Sequence, residues 1–275
     1  MDQTQSDLLA TVEDSPRAAA AHDRAGWVCL FTDDGRVEDP VGSRPHVGPV
    51  QIGRFYDTFI GPRGITFHRD LDIVQGSAVI RDLELEVAMG RAVTMHIPAV
   101  LRYDLREVDG TWKIAALRAY WELPSMMGQF LRNGLTAAPA GLQLSQALLG
   151  NQGLRGTVGF ATGFRRVGSR HKRLVDGFLS AVASGDKFAA LRALSPTATM
   201  TFGDDEDVDV TDMIERLGGA GCTKLIGAGP TVAASITARQ GRGVLFADMA
   251  ARGAVIQRVR YFAASSTNDA VDSNR

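Results

Sequence analysis

The chain has 275 residues, of which 45% are apolar and 22% are charged, and its formal net charge is −1. This composition is typical of a folded globular protein and excludes a disordered tail, a collagen-like fibre and a disulfide-stapled peptide. The length fits either one large domain or two domains of about 130 residues each.

Several functional classes are disfavoured by what the sequence lacks. The two cysteines, Cys29 and Cys222, are far apart, which argues against a disulfide framework and favours a cytoplasmic location. The five histidines show no ligand spacing, so we expect no metal site and no cofactor. The polar N-terminus, MDQTQSDLLA, is unlike a signal peptide, and no apolar run approaches the ~18 residues of a membrane span.

Charge is unevenly distributed along the chain. Residues 1–123 carry 13 basic and 19 acidic side chains, residues 124–170 carry five arginines and no acid, and residues 171–275 carry 12 of each sign. Five charges are too sparse for a nucleic-acid-binding patch, so we expect no nucleic-acid partner. We interpret 124–170 as a basic, glycine-rich, partly helical linker and 265–275 as a flexible tail.

The first block is predicted to begin with helices. Ser15 and Pro16 form an N-cap and N1 pair, which predicts a helix through AAAAHDRAGWVCLF. A short strand, RVED, follows and is stopped by a proline and a glycine. The segment VQIGRFYDTFI spaces four large apolar residues along one helical face, and these are Ile52, Phe55, Tyr56 and Phe59.

Strands are predicted for the rest of the first block. The candidates are ITFHRDLDIV, SAVIRDLELEVAM, AVTMHIPAVLRYDLREV and TWKIAALRAYWEL. Asp109-Gly110 joins the last two, which is a strong hairpin signal. Helices followed by antiparallel strands predict an α+β fold, with helices packed on one face of a curved, mostly antiparallel sheet.

Residues 171–264 repeat this plan. HKRLVDGFLSAVAS is predicted to be a helix, Gly185-Asp186 turns into KFAALRALSP, and VDVTDMIERLGG repeats the apolar spacing of VQIGRFYDTFI. The segment GRGVLFADMAARGAVIQRVRYFAA mirrors the last hairpin of the first block. Two copies of one unit of ~110 residues explain the length better than one large fold.

The stretch VEDPVGSRPHVGPVQIGRFY, together with AYW on the last strand, resembles the ketosteroid isomerases of the NTF2-like (SnoaL-like) superfamily. The resemblance covers residues 15–123, whereas 171–264 resemble only the superfamily, through the helix–Gly-Asp–helix opening. It implies two cone-shaped, cystatin-like α+β barrel domains, in which helices and a bent sheet enclose an apolar pocket. The superfamily pattern specifies the fold and says almost nothing about chemistry.

The resemblance implies that Asp39 is the general base that moves a proton between two carbons of a steroid enone. The residue pattern agrees, because Val37 and Asp39 share one strand face and the carboxylate therefore follows an inward-facing apolar residue. Desolvation there would raise the pKa of the carboxyl and make it a better base. Without the motif, a turn aspartate before Pro40 explains the residue equally well.

In the family, a tyrosine and a protonated aspartic acid stabilise the developing oxyanion. The tyrosine position falls here on Ser15 and the acid position on Ala99, so neither donor is present. Losing one such donor typically costs ~10²–10³ in rate. The resemblance therefore implies a binding site whose chemistry is weakened.

Other residues are candidates for contact with the substrate. Phe55 and Tyr56 lie on the apolar helix face, where they line the pocket or pack in the core, and Trp121 is expected to wall the pocket or core. His96 faces away from the pocket unless a bulge at Pro98 turns it inward as a donor. In the loop after VEDP, a further histidine, at position 46, is expected to be exposed or to edge the pocket mouth.

The second copy offers less chemistry. Gly203 falls on the position of Asp39, and Asp204 follows one residue later, where a one-residue slip turns the carboxylate to the other face. The run DDEDVDV lacks the ligand spacing of a calcium loop and is interpreted as a solvated acidic loop. Because family members commonly dimerise through their sheet faces, the resemblance implies an intramolecular pseudo-dimer of the two domains and leaves a homodimer open.

Three functional hypotheses follow. The first is a steroid delta-isomerase-like protein that acts through Asp39 on a steroid or a similar apolar carbonyl compound. The second is a non-catalytic protein that binds a small apolar ligand. The third is another SnoaL-like activity, such as a polyketide cyclase or an epoxide hydrolase, although Met95, Ile97, Ala99 and Leu101 provide no Asp-Arg-Asp trio.

Overall fold

The computed structural model describes residues 3–89, 93–122, 126, 168–251 and 253–264. These residues divide into two compact units, the first built from the N-terminal half of the chain and the second from the C-terminal half together with Leu71–Gln75. Each unit builds a six-stranded sheet with helices, which confirms the α+β class. Among the described residues neither sheet closes on itself, so the structure shows two open sheets where barrels were predicted. The predicted linker and tail lie outside the described residues apart from 126 and 168–170, and the predicted domain boundaries stay predictions.

The first unit contains three α-helices, one π-helix and six strands in its described part. In chain order they are α1 (Gln3–Ala20), α2 (Arg24–Cys29), β1 (Phe31–Glu38), β2 (His46–Val47), α3 (Gly48–Phe55), the π-helix (Tyr56–Ile60), β3 (Gly64–Gln75), β4 (Ala78–Met89), β5 (Val93–Val108) and β6 (Thr111–Tyr120). The strand order in the sheet is β2-β1-β6-β5-β4-β3. β1 runs parallel to β6, and β6 and β4 run antiparallel to β5.

The second unit repeats this arrangement. Its elements are α4 (Ser169–Ser184), α5 (Lys187–Ala193), β7 (Leu194–Phe202), β8 (Glu206–Asp207), α6 (Val210–Leu217), β9 (Gly221–Ala228), β10 (Thr231–Ala238), β11 (Gly241–Met249) and β12 (Ile256–Ala263). The strand order, β8-β7-β12-β11-β10-β9, is that of the first sheet with every strand number raised by six. The predicted tandem repeat is therefore visible in the topology.

The short second helix of each unit begins in the same way. Asp23 Oδ1 accepts a hydrogen bond from the backbone N–H of Gly26 at 2.8 Å, and Asp186 Oδ1 accepts one from Ala189 at 2.9 Å. An aspartate that bonds the third residue after it satisfies one of the free N–H groups at a helix start. The same cap in both units supports a common origin for the two halves.

The first helix differs from the prediction. α1 runs through Ser15 and Pro16 and does not begin there. Leu8 and Val12 are fully buried and extend the apolar stripe upstream of Ser15, so packing outweighs the cost of a proline inside the helix. The helix stops where His22 adopts a positive φ of 53°. Ser15 is consequently a buried residue of the helix interior.

An ion pair with a buried arginine identifies the face of the first sheet that the helices cover. Arg81 of β4 is 2% exposed and donates to Glu13 of α1 at 2.9 Å. Arg81 pairs with Leu101, which pairs with Ala119 of β6. Because side chains alternate along strands, Ala99 lies on this inner face as well. Among the described residues, no helix is both long and apolar enough to cross a membrane.

Candidate active site

Asp39 lies where β1 ends, at the edge of the inner face. Val37, two residues earlier, is fully buried and pairs with Leu117 of β6. Asp39 is joined to Pro40 by a cis peptide bond, and beyond this turn the N–H of Val41 donates to the carbonyl of Ala119 at 2.8 Å. Strand pairing therefore holds the backbone on both sides of Asp39.

The surroundings of Asp39 make its carboxyl a stronger base than an ordinary aspartate. Burial raises its pKa to about 6, because loss of hydration disfavours the carboxylate. Trp121 Nε1 lies 2.5 Å from Asp39 Oδ1 and donates a hydrogen bond that lowers the pKa in part. Oδ2 accepts no hydrogen bond from the residues that the structure describes. One oxygen is therefore oriented and the other is available to take a proton.

An aromatic cluster lies beside this corner of the sheet. The ring centre of Trp27 is 6.1 Å from that of Phe55 and 5.5 Å from that of Tyr56, and all three side chains are buried. Phe55 also packs on His46, with ring centres 5.1 Å apart, and His46 pairs with Val37 across β1 and β2. The cluster therefore adjoins the strand that carries Asp39.

Two buried hydroxyl groups of the first unit have no hydrogen-bond partner within the described part of the chain. They are the phenol of Tyr56 and the hydroxyl of Ser43, which lies in the turn after Pro40. Burial raises the pKa of Tyr56, so its phenol stays protonated and remains a donor. An unpaired buried donor is costly. A ligand oxygen would satisfy such a group.

Ser15 and Ala99 stand where the resemblance places the two oxyanion donors. Ser15 Oγ is buried and accepts a hydrogen bond from Trp27 Nε1 at 3.1 Å. Ala99 is fully buried on the inner face of β5 and has only a methyl group there. At these two positions the site therefore holds neither a phenol nor a carboxylic acid.

His96 does not reach the inner face. It is exposed, and its Nδ1 lies 2.9 Å from Glu84 Oε1. The pairing of β4 with β5 runs without a register shift along the whole of β4, so Pro98 marks no bulge. Unbroken alternation places His96 on the outer face, so the inward position that a bulge at Pro98 would have given it, as a donor to the substrate, is not observed.

Sequence reasoning undervalued two groups near the aromatic cluster. His46 packs on Phe55 and is not a freely exposed loop residue; burial lowers its pKa to about 4, so its imidazole is neutral at physiological pH. Arg63 was not singled out at all. Its pKa is lowered to about 10 by burial, and its guanidinium lies 5.9 Å from the ring centre of Phe59. A charged residue in a Gly-Pro-Arg turn has no sequence signal that separates it from a solvated one.

In the second unit, an aromatic ring fills the corresponding inner face. Tyr261 pairs with Leu245 there and belongs to the buried core. A Cβ atom added to Gly243 would lie 2.5 Å from the hydroxyl of Tyr261, so the ring lies against this glycine. In the first unit the matching positions are Ala119 and Ala99. The second unit therefore has a large ring and a glycine where the first unit has two methyl side chains.

The second unit also lacks a carboxylate at the position of Asp39. Phe202 pairs with Tyr261, the match of Ala119, so the parallel pairing places Phe202 at the position of Asp39, and the prediction of Gly203 for that position is wrong. The N–H of Gly203 donates to the carbonyl of Tyr261 at 2.8 Å, as the N–H of Val41 does to Ala119. Asp204, the next residue, lies 3.9 Å from the guanidinium of Arg260 as an ion pair. No group of three or more His, Cys, Asp or Glu side chains in the described residues is arranged to hold a metal ion.

Part of the chain is similar to known proteins. Residues 12–121 match a family model for the SnoaL-like domain. The structure of RV0760c from Mycobacterium tuberculosis, in complex with estradiol-17beta-hemisuccinate, is 27% identical with a TM-score of 0.40, over 44% of this chain and 96% of that one. The Delta 5-3-ketosteroid isomerase from Mycobacterium sp. gives the same values. An LEH-like epoxide hydrolase of M. tuberculosis is 20% identical with a TM-score of 0.40, over 50% of this chain and 97% of that one. Residues 12–121 of this chain therefore form a SnoaL-like (NTF2-like) domain.

Proposed function

We propose that the first unit is a steroid delta-isomerase-like catalyst that binds a steroid or a similar apolar carbonyl compound and moves a proton with Asp39. The observation that carries the proposal is the desolvated carboxyl of Asp39, with a pKa of about 6, held by Trp121 through one oxygen only. A base whose pKa lies near the working pH is well matched to a C–H bond acidified by a carbonyl group.

The proposed reaction shifts one double bond of a β,γ-unsaturated ketone. Asp39 Oδ2 takes a proton from the carbon between the carbonyl and the double bond, and the electron pair moves onto the carbonyl oxygen to give a dienolate. Asp39, now a carboxylic acid, returns this proton to the γ carbon. The carbonyl reforms with the double bond in conjugation. The proton gained by Asp39 in the first step is released in the second, so no redox partner is needed.

The dienolate oxygen requires a hydrogen-bond donor other than the family pair. Ser15 is engaged by Trp27, and Ala99 has no polar group. We assign this role to the phenol of Tyr56, because it is a buried, protonated and unpaired donor next to the aromatic cluster. Each oxyanion donor is worth ~10²–10³ in rate, so one donor in place of two predicts slow turnover.

The experiment that tests the activity follows the ultraviolet absorbance of the conjugated enone. A β,γ-unsaturated 3-ketosteroid is the substrate, and the wild-type chain is compared with Asp39→Asn. We expect wild type to convert the steroid and Asp39→Asn to lose at least ~10²-fold in rate, because general-base catalysis contributes about that much. Asp204→Asn, which removes a carboxyl from the second unit, is the matched control and retains the wild-type rate. Equal rates for wild type and Asp39→Asn contradict the proposal.

The second candidate function is non-catalytic binding of a small apolar ligand. The observation in its favour is the same pair of positions, because Ser15 and Ala99 leave the expected oxyanion donors absent. Steroid-dependent quenching of tryptophan fluorescence, with no absorbance change over long incubation, would favour this function over catalysis. Trp27 lies in the aromatic cluster and Trp121 contacts Asp39, so both are placed to report binding.

A further inference from the structure

Arg63 has unusual surroundings for a surface arginine. Its Nη1 donates to the backbone carbonyl of Thr58 at 2.7 Å, and its guanidinium stacks on Phe59 at 5.9 Å from the ring centre. No carboxylate of the described residues forms an ion pair with it. Arginine at a protein surface is usually paired or fully hydrated, because removing water from an unpaired charge is costly. Here, burial has desolvated the guanidinium enough to lower its pKa to about 10.

A continuous row of rings connects Arg63 to the strand that carries Asp39. Arg63 lies over Phe59, Phe59 packs on Phe55 with ring centres 5.1 Å apart, and Phe55 packs on His46 at the same distance. His46 pairs with Val37, two residues before Asp39. The row therefore runs from a cation, Arg63, to the strand that carries the base, with the buried ring of Phe55 between the half-buried rings of Phe59 and His46.

We propose that Arg63 is an anion-binding subsite, and that the ligand of the first unit is an elongated apolar carbonyl compound with a carboxylate at the end remote from its carbonyl. The proposal rests on the proposed function for the position of the carbonyl, at Asp39. The carboxylate would accept hydrogen bonds from those N–H groups of the Arg63 guanidinium that do not bond to Thr58. Arginine and carboxylate match geometrically, because the planar fork of N–H donors faces two oxygens.

The rest of the row is uncharged, so Arg63 is expected to distinguish a charged ligand from a neutral one. His46 has a pKa of about 4 and carries no charge above pH 5. Phe55 and Phe59 provide apolar contact, and the carboxylate of Asp57, which lies between them in the chain, is already paired with Arg24 at 2.7 Å. A ligand that differs only in the charge of its far end should therefore be distinguished at Arg63 and nowhere else along the row.

The test compares two steroids that differ by one charge. The probes are 3-oxochol-4-en-24-oic acid and its methyl ester, both already conjugated, and binding to the full chain is measured by tryptophan fluorescence. We expect wild type to bind the acid about 10-fold more tightly than the ester, the equivalent of one charge-assisted hydrogen bond. Arg63→Met should bring the acid to the affinity of the ester and leave the ester unchanged. Arg63→Lys should keep part of the preference, and rising salt should reduce it.

Arg192→Met is the matched control, because it removes the same charge from an exposed position of the second unit. It should keep the full preference, and circular dichroism checks that each variant is folded. Equal affinity for acid and ester in wild type, an unchanged preference in Arg63→Met, or no binding of either steroid overturns the inference. The preference is measured without turnover. The preference for the acid can therefore be present even if wild type and Asp39→Asn isomerise at equal rates. It can also be absent while isomerisation still depends on Asp39.

Discussion

Trp121 Nε1 and Asp39 Oδ1, 2.5 Å apart, join the residue that follows β6 to the residue that follows β1. Because β1 and β6 are parallel neighbours, both residues leave the sheet at the same edge. The indole N–H can only donate, so this contact favours the carboxylate form of Asp39, while burial favours the acid form. The pKa of about 6 is the result of these two opposing effects.

Trp121→Phe should move the pH dependence of catalysis to higher pH. The base acts only when ionised, so the rate rises with pH through the pKa of Asp39. Removal of the indole donor removes the contact that lowers this pKa, and the midpoint of the profile moves upward from about 6. The measurement is kcat/KM against pH, since this ratio reports the free enzyme. Trp112→Phe, which changes a tryptophan elsewhere on β6, is the control. A midpoint that is the same in wild type and Trp121→Phe would contradict the assignment.

Asp39→Asn should stabilise the chain at alkaline pH and have little effect on its stability in acid. The pKa of Asp39 is about 6 in the folded state against 3.8 in the unfolded state, so the folded state binds more protons between these values. Stability therefore falls as pH rises through that window and stays reduced above it. A shift of this size corresponds to at most ~3 kcal/mol, and partial exposure reduces it. Urea unfolding at pH 4 and pH 8 measures the difference. Asp33→Asn, which removes a carboxylate from an exposed site, is the control.

Much of the fold was accessible from sequence because the apolar patterns were long. The hairpin at Asp109-Gly110 is present, with φ values of 50° and 75° at the two turn residues. The apolar spacing from Ile52 to Phe59 predicted a helix, and the structure has one there, with a π-helical end from Tyr56. The start of α1 was misplaced, because Ser15 and Pro16 form a capping signal that a buried stripe upstream overrides.

The chemical properties of the site were harder to predict from the sequence than the fold was. A motif sufficed to single out Asp39, but its pKa depends on Trp121, which is 82 residues away in the chain. Ser15 has a buried role that no local pattern shows, since its partner is the indole of Trp27. Arg63 acquires its importance only from the rings beneath it. Such contacts between distant segments are set by tertiary packing, and single-sequence patterns do not encode them.

Tyr56→Phe should lower the rate of catalysis without lowering the stability of the chain. The phenol has no hydrogen-bond partner in the described part of the chain, so its removal relieves an unpaired buried group and leaves the free energy of unfolding unchanged or slightly higher. If the phenol stabilises the dienolate, kcat falls by ~10²–10³. Ser43→Ala removes the other unpaired hydroxyl and is the matched comparison. A large loss of rate in Ser43→Ala and none in Tyr56→Phe would transfer the role to Ser43.

Gly243→Ala tests whether the ring of Tyr261 packs against Gly243 in the second unit, as the contacts indicate. A Cβ atom there would lie 2.5 Å from the backbone carbonyl of Phe262 and 2.5 Å from the hydroxyl of Tyr261. The tyrosine can move, but the paired backbone of β12 cannot do so without losing its register, so we expect a loss of ~1–3 kcal/mol in the free energy of unfolding. Gly221→Ala is the control, because its added methyl meets nothing within 4 Å, and a change within ~0.5 kcal/mol is expected. Equal stability of the two variants in urea would mean that the ring of Tyr261 does not lie against Gly243, and the second unit would then have room for a ligand of its own.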